Sequence, residues 1–178
     1  MASSSYPPVH GAPSALRPVP QLDISTAHDA ADLAEVATLF REYAASLPVD
    51  LGFQNFVDEL ARLPGDYAAP RGELLLARVD GQPMGCCALR PLDASDYPNA
   101  AEMKRLYVRP AARGCGLGRL LSEAILDAAR RSGYSSVLLD TLDDMQAARA
   151  LYQDLGFEEI PPYYPSPVRG THYLRVEL

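Results

Sequence analysis

The first regular pattern begins at Gln21, where a short alternating stretch to Thr26 predicts a strand. Asp29 or a residue nearby can cap a helix, and Leu33, Val36, Leu39, Phe40, Tyr43 and Leu47 recur behind it at helical spacing. Pro48 and Gly52 break that helix; Phe53 to Leu63 predicts a shorter one, closed by Pro64-Gly65. There the period changes. "GELLLARVDGQPMGCCALRPL" holds two apolar runs around Asp80-Gly81, which is a hairpin signal. "AEMKRLYV" predicts a further strand that ends before Pro110. Residues 117 to 131 predict a helix with Leu117, Leu120, Leu121, Ala124 and Ala128 on its buried face. Arg130 and Arg131 suit its negative end, and Gly133 stops it. "YSSVLLDT" predicts a buried strand, and Asp143 or Asp144 caps a helix carrying Met145, Ala148, Leu151, Tyr152 and Leu155. "FEEI" is a strand, and after the turn "PPYYPSP" the last strand covers Thr171 to Val176.

This order predicts an α/β fold with one mixed sheet of about seven strands and about four flanking helices. The sheet is antiparallel early and parallel where strand, helix and strand alternate around residues 103 to 140. No internal repeat and no second domain is visible, so residues 21 to 178 form a single domain. Residues 1 to 20 are rich in Ser, Ala and Pro, lack the apolar core of a secretory signal, and are expected to be a disordered tail.

Composition narrows the function classes. The chain has 178 residues, 48% hydrophobic and 22% charged, which is ordinary for a globular protein. It has no apolar stretch of membrane-spanning length, so no membrane partner is expected. The three cysteines, Cys86, Cys87 and Cys115, include an adjacent pair and do not suggest a disulfide framework, which favours a reducing, cytoplasmic setting. The three histidines are scattered and show no zinc spacing; no metal is expected. A formal charge of −7 argues against nucleic acid. A homodimer is compatible with all of this.

The candidate chemistry lies in "RGCGLGRLL", Arg113 to Leu121. A strand ends at Val108, and a helix begins among Gly114, Gly116 and Gly118. A helix start leaves backbone N–H groups without partners, and glycines let a phosphate approach them. The alternative is a tight turn that merely packs. A dinucleotide fingerprint fails because Arg119 stands where its last glycine belongs, and a P-loop fails for want of GK[ST]. Arg-x-x-Gly-x-Gly does fit, at Arg113, Gly116 and Gly118.

"LYVRPAARGCGLGRLLSEAI" resembles the acetyl-CoA-binding motif of the GCN5-related N-acetyltransferases, and "ARALYQDLGF" resembles the second signature of that superfamily. The resemblance spans roughly residues 20 to 178. The pattern "LDTL..M..A..LY..LGF..IPPYY" further resembles a bacterial branch with no acceptor to assign.

The resemblance implies a GNAT-like acyl-CoA N-acyltransferase fold, with acetyl-CoA as co-substrate and direct transfer to the primary amine of a small molecule or peptide. It places the pyrophosphate on the backbone of Arg113, Gly114, Cys115, Gly116, Leu117 and Gly118, with Arg119, and the pantetheine beside Leu106, Tyr107 and Val108. Cys115 is a small filler, since direct transfer needs no acyl-cysteine. Tyr152 matches the tyrosine that protonates the departing thiolate. Glu102, at the spacing of the glutamate of the histone-acetylating members, is either the base or an edge carboxylate paired with Lys104 or Arg105. It is expected to share strand parity with Leu106 and Val108 unless a bulge intervenes. Met145 occupies the place of an asparagine that contacts pantetheine in many members. Asp140 and Thr141 substitute for that contact or line the acceptor pocket. Tyr43, Phe53 and Phe56, with Tyr163 and Tyr164, frame that pocket; the paired tyrosines cradle a cation or pack beneath a stiff turn. Glu102 and the acidic charge favour a small amine over a strongly acidic substrate. Two rivals stand: a silent acetyl-CoA sensor, and an enzyme using a different acyl-CoA.

Overall fold

A computed structural model describes residues 19–178; the expected tail falls almost wholly outside them. Seven strands form one sheet: β1 (Leu22–Thr26), β2 (Glu73–Val79), β3 (Gln82–Pro91), β4 (Ala100–Val108), β5 (Ser136–Leu142), β6 (Glu158–Ile160) and β7 (Thr171–Glu177). Their spatial order is β1-β2-β3-β4-β5-β7-β6. Only the β4–β5 pair is parallel, joined by the helix between them. Four α-helices are described: α1 (Ala30–Ser46), α2 (Phe56–Ala61), α3 (Leu117–Arg131) and α4 (Gln146–Asp154).

Local chemistry accounts for most boundaries. Asp29 caps α1 by accepting from the Asp32 amide at 2.8 Å. Asp80 and Gly81 both adopt positive φ, 50° and 78°, as a two-residue hairpin turn requires. Two expectations fail in detail. Residues 51 to 54 form a 3-10 turn, and α2 itself starts only at Phe56. Neither Asp143 nor Asp144 caps α4: Met145 holds that position without a side-chain bond, and Asp143 turns instead to His172.

The core lies on both faces of the sheet. Val36, Leu39 and Phe40 of α1 pack with Leu74, Leu76, Cys86 and Ala88. Leu117, Leu121 and Ile125 of α3 and Tyr152 of α4 pack with Leu75, Cys87, Leu89 and Met103 on the other face. Successive strand residues point to opposite faces, so Cys86 and Cys87 belong to different cores; all three thiols are free. The α3 face is rotated from expectation. Leu120 is 40% exposed, whereas Ile125 and Leu126 are buried.

One irregularity positions everything that follows. Arg105 in β4 has φ +59°, and the β3–β4 register slips between Cys86 and Ala88. This bulge turns β4 away from β5. Their pairing consists of Ala100–Ser136, Ala101–Val137 and Glu102–Leu138, and then the two strands diverge. The bulge also resets the alternation. Leu106 and Val108 join the α3 face with Met103, while Tyr107 joins the α1 face. The expected common parity of Glu102 with Leu106 and Val108 is therefore overturned.

Candidate active site

The glycine turn sits at the mouth of this fork. Gly114 and Gly116 have φ of +79° and +84°, left-handed values that the chain needs to swing from β4 into α3. The Arg113 amide donates to Pro110, and the Leu120 amide donates to Gly116 at 3.1 Å. Between them, the amides of Gly114, Cys115, Gly116, Leu117, Gly118 and Arg119 donate to no acceptor among the described residues. They form a row of orphan donors at the positive end of α3. Gly118 is different from the other two. A Cβ there would meet only Leu151 and Val108, at 3.8 and 3.9 Å, so protein packing does not demand a glycine.

Leu106, Tyr107, Val108, Arg113, Gly114, Gly116, Leu117, Gly118, Arg119 and Met145 line one groove, as the sequence grouped them. Cys115 bends back, its Sγ 2.9 Å from the Ala112 carbonyl. Arg113 donates to the Val108 carbonyl at 2.9 Å and lies over the Tyr107 ring, bracing the turn against β4. Arg119 pairs with Asp154 on the surface.

At its inner end the groove meets a cavity in the fork, lined by Tyr43, Lys104, Asp140, Thr141, Met145 and Tyr152, among others. The Tyr152 hydroxyl makes no hydrogen bond to the described residues. Burial above all pushes its pKa well above the ordinary 10, so it keeps its proton. Burial likewise raises Tyr43 to about 12. The Thr141 hydroxyl is buried and finds no hydrogen-bond partner among the described residues.

A second pocket adjoins the fork and shares Gln54 and Lys104 with it; Arg90, Glu102, Tyr163 and Tyr164 complete its polar wall. Glu102 is 1% exposed. Its Oε2 accepts from Arg90 Nε at 2.7 Å, and its Oε1 accepts from the Tyr163 hydroxyl at 2.8 Å. Burial by itself would raise its pKa, but the charges of Lys104 and Arg90 and the two hydrogen bonds hold it below the ordinary value. Of the two expected partners, Lys104 is beside it at 3.6 Å, while Arg105 pairs with Glu59 instead. Tyr163 and Tyr164 stack edge-on with each other and with Tyr173, centroids 5.3 Å apart, which matches packing rather than an open aromatic cradle. Phe56 lies against Arg105. The side chain of Phe53 is outside the described residues.

Sequence reasoning missed Arg90 and gave Lys104 only a supporting part. The signal was present: Glu102 and Lys104 alternate along a strand whose neighbours are apolar, so both enter the interior together. Among the described residues, no group of three or more His, Cys, Asp or Glu side chains has a metal-binding arrangement. No helix among them is long and apolar enough to cross a membrane.

Comparison with known proteins supports the motif reading. The profile of the acetyltransferase (GNAT) family matches residues 36–157. An uncharacterized N-acetyltransferase of Schizosaccharomyces pombe is 43% identical over 148 residues, covering 83% of this chain and 89% of that one. The likeness therefore extends outside the bacterial branch. Among solved structures, an acetyltransferase from Streptococcus agalactiae superposes with a TM-score of 0.71 at 23% identity, covering 88% of this chain and 98% of that one. A putative acetyltransferase from Salmonella typhimurium, solved with its cofactor acetyl-CoA, gives 0.62 at 22% identity, covering 88% and 93%.

Proposed function

The chain belongs to the acetyltransferase (GNAT) family, and from that premise we propose that it moves an acetyl group from acetyl-CoA to a primary amine by direct attack. The single observation that carries the donor side is the row of unpaired amides from Gly114 to Arg119 at the mouth of an open strand fork. A pyrophosphate satisfies that row, and a pantetheine arm in the fork satisfies the freed edge of β4 and the orphan Thr141 hydroxyl. The Salmonella protein's acetyl-CoA supports the choice of donor. The coenzyme supplies an activated thioester; the protein supplies position, charge and protons.

The fork holds the thioester carbonyl against β4, where a backbone amide near Leu106 stabilises developing charge on its oxygen. Tyr152 faces the sulfur. Its buried phenol stays protonated and can give that proton to the departing thiolate. The acceptor must shed a proton before it attacks. Glu102 is poorly suited to take it, because its oxygens are bonded to Arg90 and Tyr163 and its basicity is lowered. Asp140 lines the fork and receives the amine's proton, directly or through water. Glu102 instead orients Arg90 and Tyr163. Three free thiols fit a reducing, cytoplasmic compartment.

Release of coenzyme A thiol from acetyl-CoA, followed across a panel of amines, tests this reading. Amine-dependent thiol release supports it. Binding of acetyl-CoA with no amine-dependent release by any acceptor would leave a sensor rather than an enzyme.

A further inference from the structure

Lys104 is the anomaly of the acceptor side. Its side chain is 6% exposed, yet the nearest carboxylate oxygens, Glu102 Oε1 and Asp140 Oδ1, stand 3.6 and 3.7 Å from Nζ. Both lie beyond hydrogen-bonding reach. The other strongly buried cation is fully served: Arg105 donates to Glu59 at 2.9 and 2.6 Å and to Gln54 at 2.9 Å. The Lys104 ammonium thus has two ion-pair neighbours but no hydrogen-bond acceptor among the described residues, so its donors are open to whatever enters the pockets. Lys104 lines both the fork cavity and the adjoining pocket, so its ammonium is presented to whatever occupies either.

Arg90 adds a second donor. Its Nε and Nη2 both lie 2.7 Å from Glu102 Oε2, leaving Nη1 without an acceptor among the described residues. The charged side chains lining this pocket are Arg90, Lys104 and Glu102, two cations against one carboxylate. That carboxylate is already bonded to Arg90 and Tyr163. This wall therefore presents two cations to one carboxylate, although the chain as a whole carries −7. A simple amine would bring a further cation there, which like charge disfavours. A carboxylate would neutralise it and pair with both free donors. On the fork side of Lys104 the sign reverses, where the Asp140 carboxylate lines the cavity with its Oδ1 3.7 Å from Lys104 Nζ.

We propose, resting on the acetyltransferase reading above, that the acceptor is a free amino acid, its carboxylate held by Lys104 and Arg90 and its ammonium by Asp140. Lys104 stands between the two carboxylate-binding and ammonium-binding sides, which suits a molecule whose opposite charges are close together. The ammonium gives one proton to Asp140 or water, and its nitrogen bonds to the acetyl carbon. The carbon–sulfur bond breaks, the thiolate takes the Tyr152 proton, and the nitrogen's second proton leaves through water to restore the phenol. The products are the N-acetyl amino acid, coenzyme A and one proton. A peptide N-terminus lacks the adjacent carboxylate and is a poor acceptor.

The test uses the full chain, acetyl-CoA and thiol release, with each common L-amino acid set beside its carboxamide and its decarboxylated amine. At least one acid should exceed both analogues in kcat/KM by about tenfold or more, as a lost charge-assisted pair implies. Lys104→Met should collapse that preference, mainly through a rise in KM for the acid. Analogues accepted as well as the acids, or a preference that survives Lys104→Met, would overturn the proposal. Should that variant fail to fold, the wild-type comparison of acid with carboxamide decides alone. Acetyl-CoA binding with no amino acid turned over overturns this proposal and leaves the donor reading standing; absence of acetyl-CoA binding overturns both.

Discussion

Replacing Gly118 with Ala separates a glycine kept for the fold from one kept for a ligand. Gly118 lies in the first turn of α3 with helical backbone, so a side chain brings no φ penalty. The added methyl meets Leu151 and Val108 at ordinary contact distances of 3.8 and 3.9 Å. Alanine also suits a helix better than glycine, by about 0.5–1 kcal/mol. For a chain of this size that raises Tm by about 1–4 °C. The methyl nevertheless stands beside the orphan amides, where a phosphate must come close. Displacing even one charge-assisted hydrogen bond, worth about 1.5–3 kcal/mol, weakens binding at least about tenfold. Calorimetric titration with acetyl-CoA and a thermal melt read the two effects in one preparation. Stability held or raised with affinity lost is the expected pair. An unchanged affinity, or a lower Tm, would refute the argument. Gly116→Ala is the control: its φ of +84° penalises any side chain by about 1–2 kcal/mol, and the melt should fall.

Three further outcomes follow from the same geometry. Tyr152→Phe should cut kcat by about 10²–10⁴-fold while acetyl-CoA affinity and Tm stay near wild type, since the hydroxyl serves no protein partner; thiol-release kinetics and titration check both. His172 is held above its ordinary pKa of about 6.5 by its hydrogen bonds to Asp143 and Glu159. Its stabilisation is complete below that ordinary value and is lost as pH rises through the raised one, so denaturant stability should decline across that window and His172→Gln should remove the decline. Glu59→Ala strands the buried Arg105 at the bulge and should cost about 3–5 kcal/mol by denaturant titration.

The glycine turn, the succession of strands and helices along the chain and most element boundaries were legible because each depends on local chemistry. Asp29 caps, Asp80-Gly81 turns, and the alternation of apolar residues fixes faces. The bulge at Arg105 was not legible. The bulged Arg105 is paired with Glu59, 46 residues away, and nothing in "AEMKRLYV" announces it. That one residue opens the fork and moves Glu102 off the Leu106 face, so the expected base came to rest among cations. Leu120 was misplaced for a related reason: helical spacing gives the width of a buried stripe, but the rotation of α3 is set by the sheet beneath it. Arg90 escaped notice because it reaches Glu102 across the β3–β4 pair, a register the sequence does not print.

Coenzyme binding comes first, and isothermal titration of the whole chain with acetyl-CoA tests it most directly, with free coenzyme A and NAD as controls. Saturable micromolar binding of acetyl-CoA, shared by coenzyme A and absent with NAD, is the predicted result. Failure of both coenzyme A forms to bind would contradict it, and the row of amides above Gly118 would then have no ligand to explain it.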